Sequence, residues 1–450
     1  AGAGLRGISI YDDKIFVNTF DAQLVALDAR TGTVVWQVQV ADPNLGFGFG
    51  AGAVIANGKV VSALTGCARR FVEEKCAIVA HDARTGKELW RLRTIPVKGE
   101  PGDETWGDVE PIFRVGTDMW ITGSYDPELN LVYWSTSQPK PRAAAARGTN
   151  GVALYSNSTL AINPDTGTIV WYHQFIPNDS HDMDEVFENI LVDIGTRKSL
   201  FKMGKLGILW ELDRTTGKFL GATDLGYQTL VRLDQATGKA VEIPERIPKL
   251  NETLEFCPAL SGIKSWRAMA FSPETQAFYI PASLTCWTGV FTAVAKVAGG
   301  PAGTGGGRST ISIHPNAGGN LGEFIALSVS GKVLWKKRQR APYNSAALTT
   351  GGGLVFIGDW DRYVHAYDVK TGELLWQTRT PTSVQGFPIS YAVNGRQYVA
   401  VPVGVGGASW GTAVPMTLAR ELKRPSAGMN AMMVFALPRV SPSSSRRSGP

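Results

Sequence analysis

Six stretches of the chain repeat one short pattern: "LVALDARTGTVVW" (24–36), "IVAHDARTGKELW" (78–90), "TLAINPDTGTIVW" (159–171), "ILWELDRTTGKFL" (208–220), "FIALSVSGKVLW" (324–335) and "VHAYDVKTGELLW" (364–376). Each is an alternating strand, a turn closed by glycine, and a second strand that usually ends on tryptophan. The leading Asp can accept from the N–H groups of its own turn, the glycine supplies a positive φ, and the tryptophan can cover a seam between neighbouring units. The turn glycines are 54, 81, 50, 114 and 41 residues apart, so the copies carry insertions of unequal size.

A further strand precedes most copies: "KIFVNTF" (14–20), "KVVSALTG" (59–66), "NLVYWSTS" (130–137), "AFYIPAS" (277–283), "GLVFIGD" (353–359) and "RQYVAVPVG" (396–404). These read as outer partners. Strand sets repeating at this distance are the mark of four-stranded propeller blades, and the pattern predicts seven or eight of them. A β-sandwich is the rival, but six copies of one turn favour radial repetition. Composition agrees: 51 Gly, 25 Pro and 13 Trp in 450 residues suit many short strands joined by turns. The expected propeller spans residues 1–438, followed by a disordered tail, "RVSPSSSRRSGP" (439–450). Insertions at 98–126 and 218–265 are expected at the rim of an axial channel, where strand ends from different blades meet.

The formal charge of +6 comes with no continuous basic patch interleaved with aromatics, which argues against nucleic acid as a partner. No run of eighteen apolar residues predicts a transmembrane segment, and no signal peptide is read. Four cysteines, Cys67, Cys76, Cys257 and Cys286, form no CxxC and no CxxCH. Two disulfides are compatible with three pairings. The nine-residue gap from Cys67 to Cys76 suggests a local loop closure, leaving Cys257 with Cys286.

Chemistry concentrates in "PNDSHDMDEVFEN" (177–189), with acids at 179, 182, 184, 185 and 188. Such a knot needs either water or a cation. In an extended segment Asp182 and Asp184 point to one side and can share a hard ion, calcium or a larger trivalent one; the alternative is a solvated loop. Gln138 offers a neutral carbonyl oxygen, or is a turn residue. Lys205, before an apolar strand, is either a surface lysine or a charge aimed into the channel. Trp120 is one more packing tryptophan or the floor under a flat cofactor. The five histidines show no HExxH spacing, and the glycine clusters carry no Walker lysine, so a zinc hydrolase and a nucleotide site are poorly supported.

Several ordered stretches resemble the quinoprotein alcohol dehydrogenases of the methanol/ethanol dehydrogenase group, eight-bladed propellers that use pyrroloquinoline quinone. They include "LRGISIY", "DARTGKELWRLRTIPVKGEPGDETWG", "GSYDPELNLVYW", "HDMDEVFENILVD" and "GFPISYAVNGRQYVAVPVGVGG". The resemblance covers nearly residues 4–436. It implies that Asp182 is the catalytic base and Asp184 the additional aspartate of lanthanide-using members. By the same motifs Gln138 is a metal ligand, Lys205 contacts the quinone carbonyls, and Trp120 stacks on the ring. Arg6, Thr65, Gly66, Asn344 and Ser345 fall at cofactor-binding positions. The cofactors implied are pyrroloquinoline quinone with calcium or a lanthanide, the substrate a primary or secondary alcohol, polyol or sugar. The implied electron acceptor is a soluble cytochrome c or other carrier, the location periplasmic or otherwise exported, and a homodimer is compatible. The pairing of Cys257 with Cys286 also matches the family.

Two departures stand out. The family's metal-binding glutamate is replaced at the simple alignment by Ala68, with Glu73 or Glu74 nearby, and the family's adjacent cysteine pair is missing. Family chains also start earlier, so part of the closing blade is expected to be absent. The alternative to an enzyme is a propeller binding or assembly scaffold built from the same repeats.

Overall fold

The computed structural model describes residues 7–405, 410–423 and 428–436. Arg6 and the tail expected at 439–450 lie outside them. Seven antiparallel sheets follow one another along the chain. Blade 1 runs Ser9–Tyr11, Lys14–Asn18, Gln23–Asp28, Val34–Gln39, and blade 2 pairs Val54–Ala56, Lys59–Thr65, Ala77–Asp82 and Glu88–Arg93, with Gly48–Phe49 added beside the second strand. Blades 3 (124–174), 4 (190–224), 5 (270–339) and 6 (348–379) repeat the four-stranded order. Blade 7 pairs Ile389–Val393, Arg396–Val403 and Ala431–Ala436. The expected all-β propeller architecture is therefore present, and among the described residues it comprises seven blades, the last of three strands.

One expectation needs correcting. The strands read as outer partners are the second strands of their sheets, paired on both sides, as Leu131–Ser135 is between Ser124–Asp126 and Ser158–Ile162. Burial on both faces, complete along Leu131–Ser135 and Ala277–Ser283, explains their continuous apolar character. The true edge strands were illegible because several have only two or three residues, as Leu348–Thr349 and Ser9–Tyr11 do, too short to show a period.

The repeated turn does what its residues allow. In the first copy Asp28 Oδ1 accepts from the N–H groups of Arg30 and Thr31 at 3.0 and 2.7 Å, and Asp82, Asp213 and Asp368 do the same in theirs. Four of the five closing tryptophans then dock on the turn of the next blade, while Trp376 packs on Phe435. Trp36 Nε1 donates to Ala83 O, Trp90 to Pro164 O, Trp171 to Arg214 O and Trp335 to Val369 O. The turn glycine lies under the indole: a Cβ on Gly372, at φ +68°, would stand 2.6 Å from Trp335 Cδ2. Sequence repetition thus becomes a chain of inter-blade contacts.

The insertions build the site's surroundings. A hairpin of Val231–Leu233 and Ala240–Glu242 and the strand Thr253–Phe256 lie between blades 4 and 5, and that strand pairs with Thr285–Phe291, which with Gly306–Ile313 is inserted between the second and third strands of blade 5. Both disulfides form as paired in the sequence reading, Cys67–Cys76 and Cys257–Cys286. Among the described residues no helix is long and apolar enough to cross a membrane.

Candidate functional site

The acidic stretch is not a solvated loop. Asp179, Asp182, Asp184 and Glu185 are 1%, 5%, 6% and 0% exposed, so their charge has to be met inside the protein. Asp179 shapes the turn, accepting from His181 N at 2.9 Å and Met183 N at 2.7 Å, and Asp182 follows at φ +71°. His181 ties this turn to the insertion, with Nδ1 2.9 Å from Glu242 Oε1 and Nε2 2.6 Å from Arg246 O. Asp179, His181 and Glu242 are close enough to hold an ion, but with both imidazole nitrogens already engaged the trio is an anchor for the loop.

Asp182 and Asp184 converge on Lys205, which is 4% exposed. Lys205 Nζ lies 3.2 Å from Asp182 Oδ1, 2.7 Å from Asp184 Oδ2 and 2.8 Å from Asp182 O. The alternative of a surface lysine is thereby overturned. Gln138, fully buried, donates from its backbone N–H to Asp184 Oδ1 at 3.2 Å and from Nε2 to Asp182 Oδ1. Its Oε1 is buried with no hydrogen-bond partner. A second cation was missed by sequence reasoning: Arg142 Nε stands 2.8 Å from Asp182 Oδ2, an ion pair by distance although its N–H makes no directed hydrogen bond. Nothing in "QPKPRAAAAR" distinguishes Arg142 from a surface arginine.

Burial alone would raise the Asp182 pKa, but Lys205 and Arg142, with Lys140, outweigh it and hold the carboxyl below the ordinary aspartate value. Lys205 moves the opposite way: burial would lower its pKa, and the two aspartates raise it. Both groups are therefore ionised over the neutral range. Behind them lies a different pair. Burial pushes Glu185 up to about 8 and Lys202 down to about 7, each only partly countered by the other. The Glu185 carboxylate packs directly on Gly204, where an added Cβ would meet its Oε1 at 2.1 Å, so only glycine fits there.

Other candidates are distributed around this cluster. Asp118 Oδ1 organises the second-blade loop, accepting from Gly66 N at 2.6 Å, Cys67 N at 3.0 Å and Thr65 Oγ1 at 3.3 Å. Ser137 N donates to Asp118 O and Thr117 N to Gln138 O, which links that loop to the acid cluster. Trp120 is half-buried and meets Phe187, itself in the acidic stretch, edge-on at 5.2 Å. It takes no part in the turn-docking series. Asn344 Nδ2 donates to Gly411 O at 2.7 Å, and its Oδ1 lies 3.3 Å from an Arg267 nitrogen. The Ser345 hydroxyl is engaged in its own blade, between Ala346 O and Gly358 N. Glu73 and Glu74 line an open cleft with Arg91 and Arg93 of the exposed fourth strand of blade 2, not the cluster around Asp182.

The donor set suits a hard cation. Gln138 Oε1 is a buried oxygen without a hydrogen-bond partner, the carboxylates of Asp182 and Asp184 lie against the same residue's nitrogens, and no thiol or imidazole stands among these groups. Gln138, Asp182 and Asp184 are the residues that would hold it. Lys205 and Arg142 already offset the two carboxylates, so an ion would join a cluster close to neutral.

A family model described as PQQ: glucose/ethanol/alcohol dehydrogenase, beta-propeller domain, matches residues 6–223 and 319–399. Quinohemoprotein alcohol dehydrogenase ADH IIB of Pseudomonas putida is 33% identical over 96% of this chain and 64% of its own length. Lanthanide-dependent methanol dehydrogenase of Methylacidiphilum fumariolicum is 32% identical over 95% of this chain and 73% of its own length. Among solved structures, a europium-containing methanol dehydrogenase superposes with a TM-score of 0.87 at 29% identity, over 96% of this chain and 81% of that one. The chain spans 64% and 73% of those two relatives' lengths. Fold, repeat and matched residues lead to one conclusion: the chain belongs to the pyrroloquinoline quinone-dependent alcohol dehydrogenases, the propeller family of quinoprotein oxidoreductases.

Proposed function

We propose that this protein oxidises a primary or secondary alcohol, or a bulkier polyol or sugar, with pyrroloquinoline quinone and a hard cation. The observation that carries this reading is the convergence of Gln138, Asp182, Asp184 and Lys205, from three separate stretches of chain, into one buried cluster. When bound with a metal ion, the quinone supplies a polarised carbonyl able to accept hydride.

The chain's own residues supply the rest. Asp182, ionised and buried, is the group to accept the hydroxyl proton of the alcohol. Lys205 and Arg142 hold it in the charged form and fix its direction. Gln138, Asp182 and Asp184 would hold the ion, calcium or a lanthanide. Trp120, with Thr65, Gly66 and Asn344, would line the ring site. Arg6, outside the described residues, retains the cofactor role the resemblance implies. The electron acceptor in this reading is a separate carrier such as a soluble cytochrome c. The disulfides suit an exported, periplasmic setting.

A non-catalytic scaffold requires no such cluster, and the relatives quoted above are dehydrogenases by name. The test is reconstitution of the folded chain with pyrroloquinoline quinone and either calcium or a light lanthanide, followed by alcohol-dependent dye reduction. Turnover with either ion supports the reading. Folded protein that binds the quinone with neither ion contradicts it.

A further inference from the structure

Beyond the acid cluster, across the segment 261–265, lies a small cavity lined by Ser261, Ser265, Arg267, Ser283 and Asn344 and covered by Gly411 and Val414 of the helix Trp410–Leu418. The two places are physically joined. Ile263 N donates to Lys205 O at 2.8 Å, and Gly262 packs so closely on Lys205 that a Cβ would meet its Cγ at 2.5 Å. Trp266 packs in the same apolar cluster as Trp120 and Phe187.

Arg267 is the anomaly. It is 3% exposed and has no ion-pair partner among the described residues. Its hydrogen bonds go to neutral oxygens: Ser283 Oγ at 2.8 Å, Tyr343 O at 3.2 Å and Asn344 Oδ1 at 3.3 Å, while its Nε–H has no partner at all. A buried guanidinium without a counter-charge is costly, and a planar fork with an unused donor matches a carboxylate. The other buried arginines near the rim solve the same problem differently. Arg214 pairs with Asp126 and Asp193, and Arg147 with four carbonyl and amide oxygens, so neither is left to recognise a ligand.

We propose that Arg267, flanked by Ser283 and Asn344, is a recognition point for a carboxylate group, contributed either by the quinone cofactor or by a hydroxy-acid substrate. The cavity is small and its other walls are serine hydroxyls and apolar carbon, so it takes the carboxylate end of a ligand and not a ring. This rests on the reading of the acid cluster as the redox site, since it places the carboxylate one segment away from Lys205.

The test uses the whole folded chain. Binding of pyrroloquinoline quinone with lanthanum is followed by quenching of tryptophan fluorescence in wild type, Arg267→Gln and Arg267→Lys. Binding of an aromatic 2-hydroxy acid and of its uncharged methyl ester is followed in the loaded protein by thermal shift. If the cofactor supplies the carboxylate, Arg267→Gln weakens quinone binding about tenfold or more, and Arg267→Lys recovers part of it. If the substrate supplies it, quinone binding stays within about twofold and the preference for the acid over its ester is lost. Quinone affinity and acid preference both unchanged in Arg267→Gln would overturn the inference. Should that variant not fold, Ser283→Ala, which frees the donor now turned on Ser283, carries the same readout: either measurement must move in it, and both standing still overturns the inference. Failure of wild type to bind the quinone at all would instead count against the function proposed above.

Discussion

Lys205 Nζ stands 2.7 Å from Asp184 Oδ2, inside the protein, with its remaining donors turned on Asp182. One lysine therefore neutralises charge for two aspartates and fixes the distance between them. Removing it as Lys205→Met leaves the buried carboxylates with Arg142 and the weaker Lys140 in compensation, and the expected loss is about 3–5 kcal/mol of unfolding free energy. Urea unfolding measures it. Added lanthanum should raise the midpoint of Lys205→Met more than that of wild type, because the ion restores the missing positive charge. Equal responses would show that the aspartates do not share an ion.

The seams between blades give a prediction independent of the site. Gly372→Ala places a Cβ at positive φ and against the Trp335 indole, whereas Gly195→Ala, at φ +61°, has open space around it. Gly195→Ala is expected to cost about 1 kcal/mol from backbone strain alone, and Gly372→Ala about 2 kcal/mol or more. Equal losses would mean that the tryptophan docking contributes nothing.

Stability should also depend on pH through two histidines, His81 buried and His173 half-buried. Burial pushes His81 down to about 4, against the smaller opposing pull of Glu88 3.8 Å away, and His173 likewise down to about 4. An unfolded histidine titrates near 6.5. Between those values the unfolded chain binds the proton and the folded chain does not, so this stability is complete above the upper value and falls as pH drops through the window. The loss is on the order of 3 kcal/mol for each group. Urea midpoints measured across that window for wild type and His173→Gln check it: the variant should show a shallower decline.

The sequence made the repeat legible because turn chemistry is local: an Asp, a Gly and a Trp at fixed offsets need no knowledge of the rest of the chain. Asp182, Asp184, Gln138 and Lys205 were also legible as candidates, through their motifs, and the structure brings all four together. What escaped was burial. Whether "HDMDE" is a solvated loop or a charged core, and whether Arg142 and Arg267 are surface residues or counter-charges, depends on which segments cover them. Covering is a property of blade order and insertions, not of neighbouring residues. The acidic knot posed the choice between water and a cation; the protein brings its own cations, Lys205 and Arg142, and leaves the Gln138 oxygen open beside them.

The most direct test of the central claim is alcohol-dependent dye reduction by Asp182→Asn and wild type, loaded with quinone and lanthanum to equal, spectroscopically measured occupancy. The account predicts that the variant binds the quinone within several-fold of wild type while its turnover falls by about a thousandfold, the usual scale for a lost general base. Turnover within a few-fold of wild type at equal occupancy would contradict it.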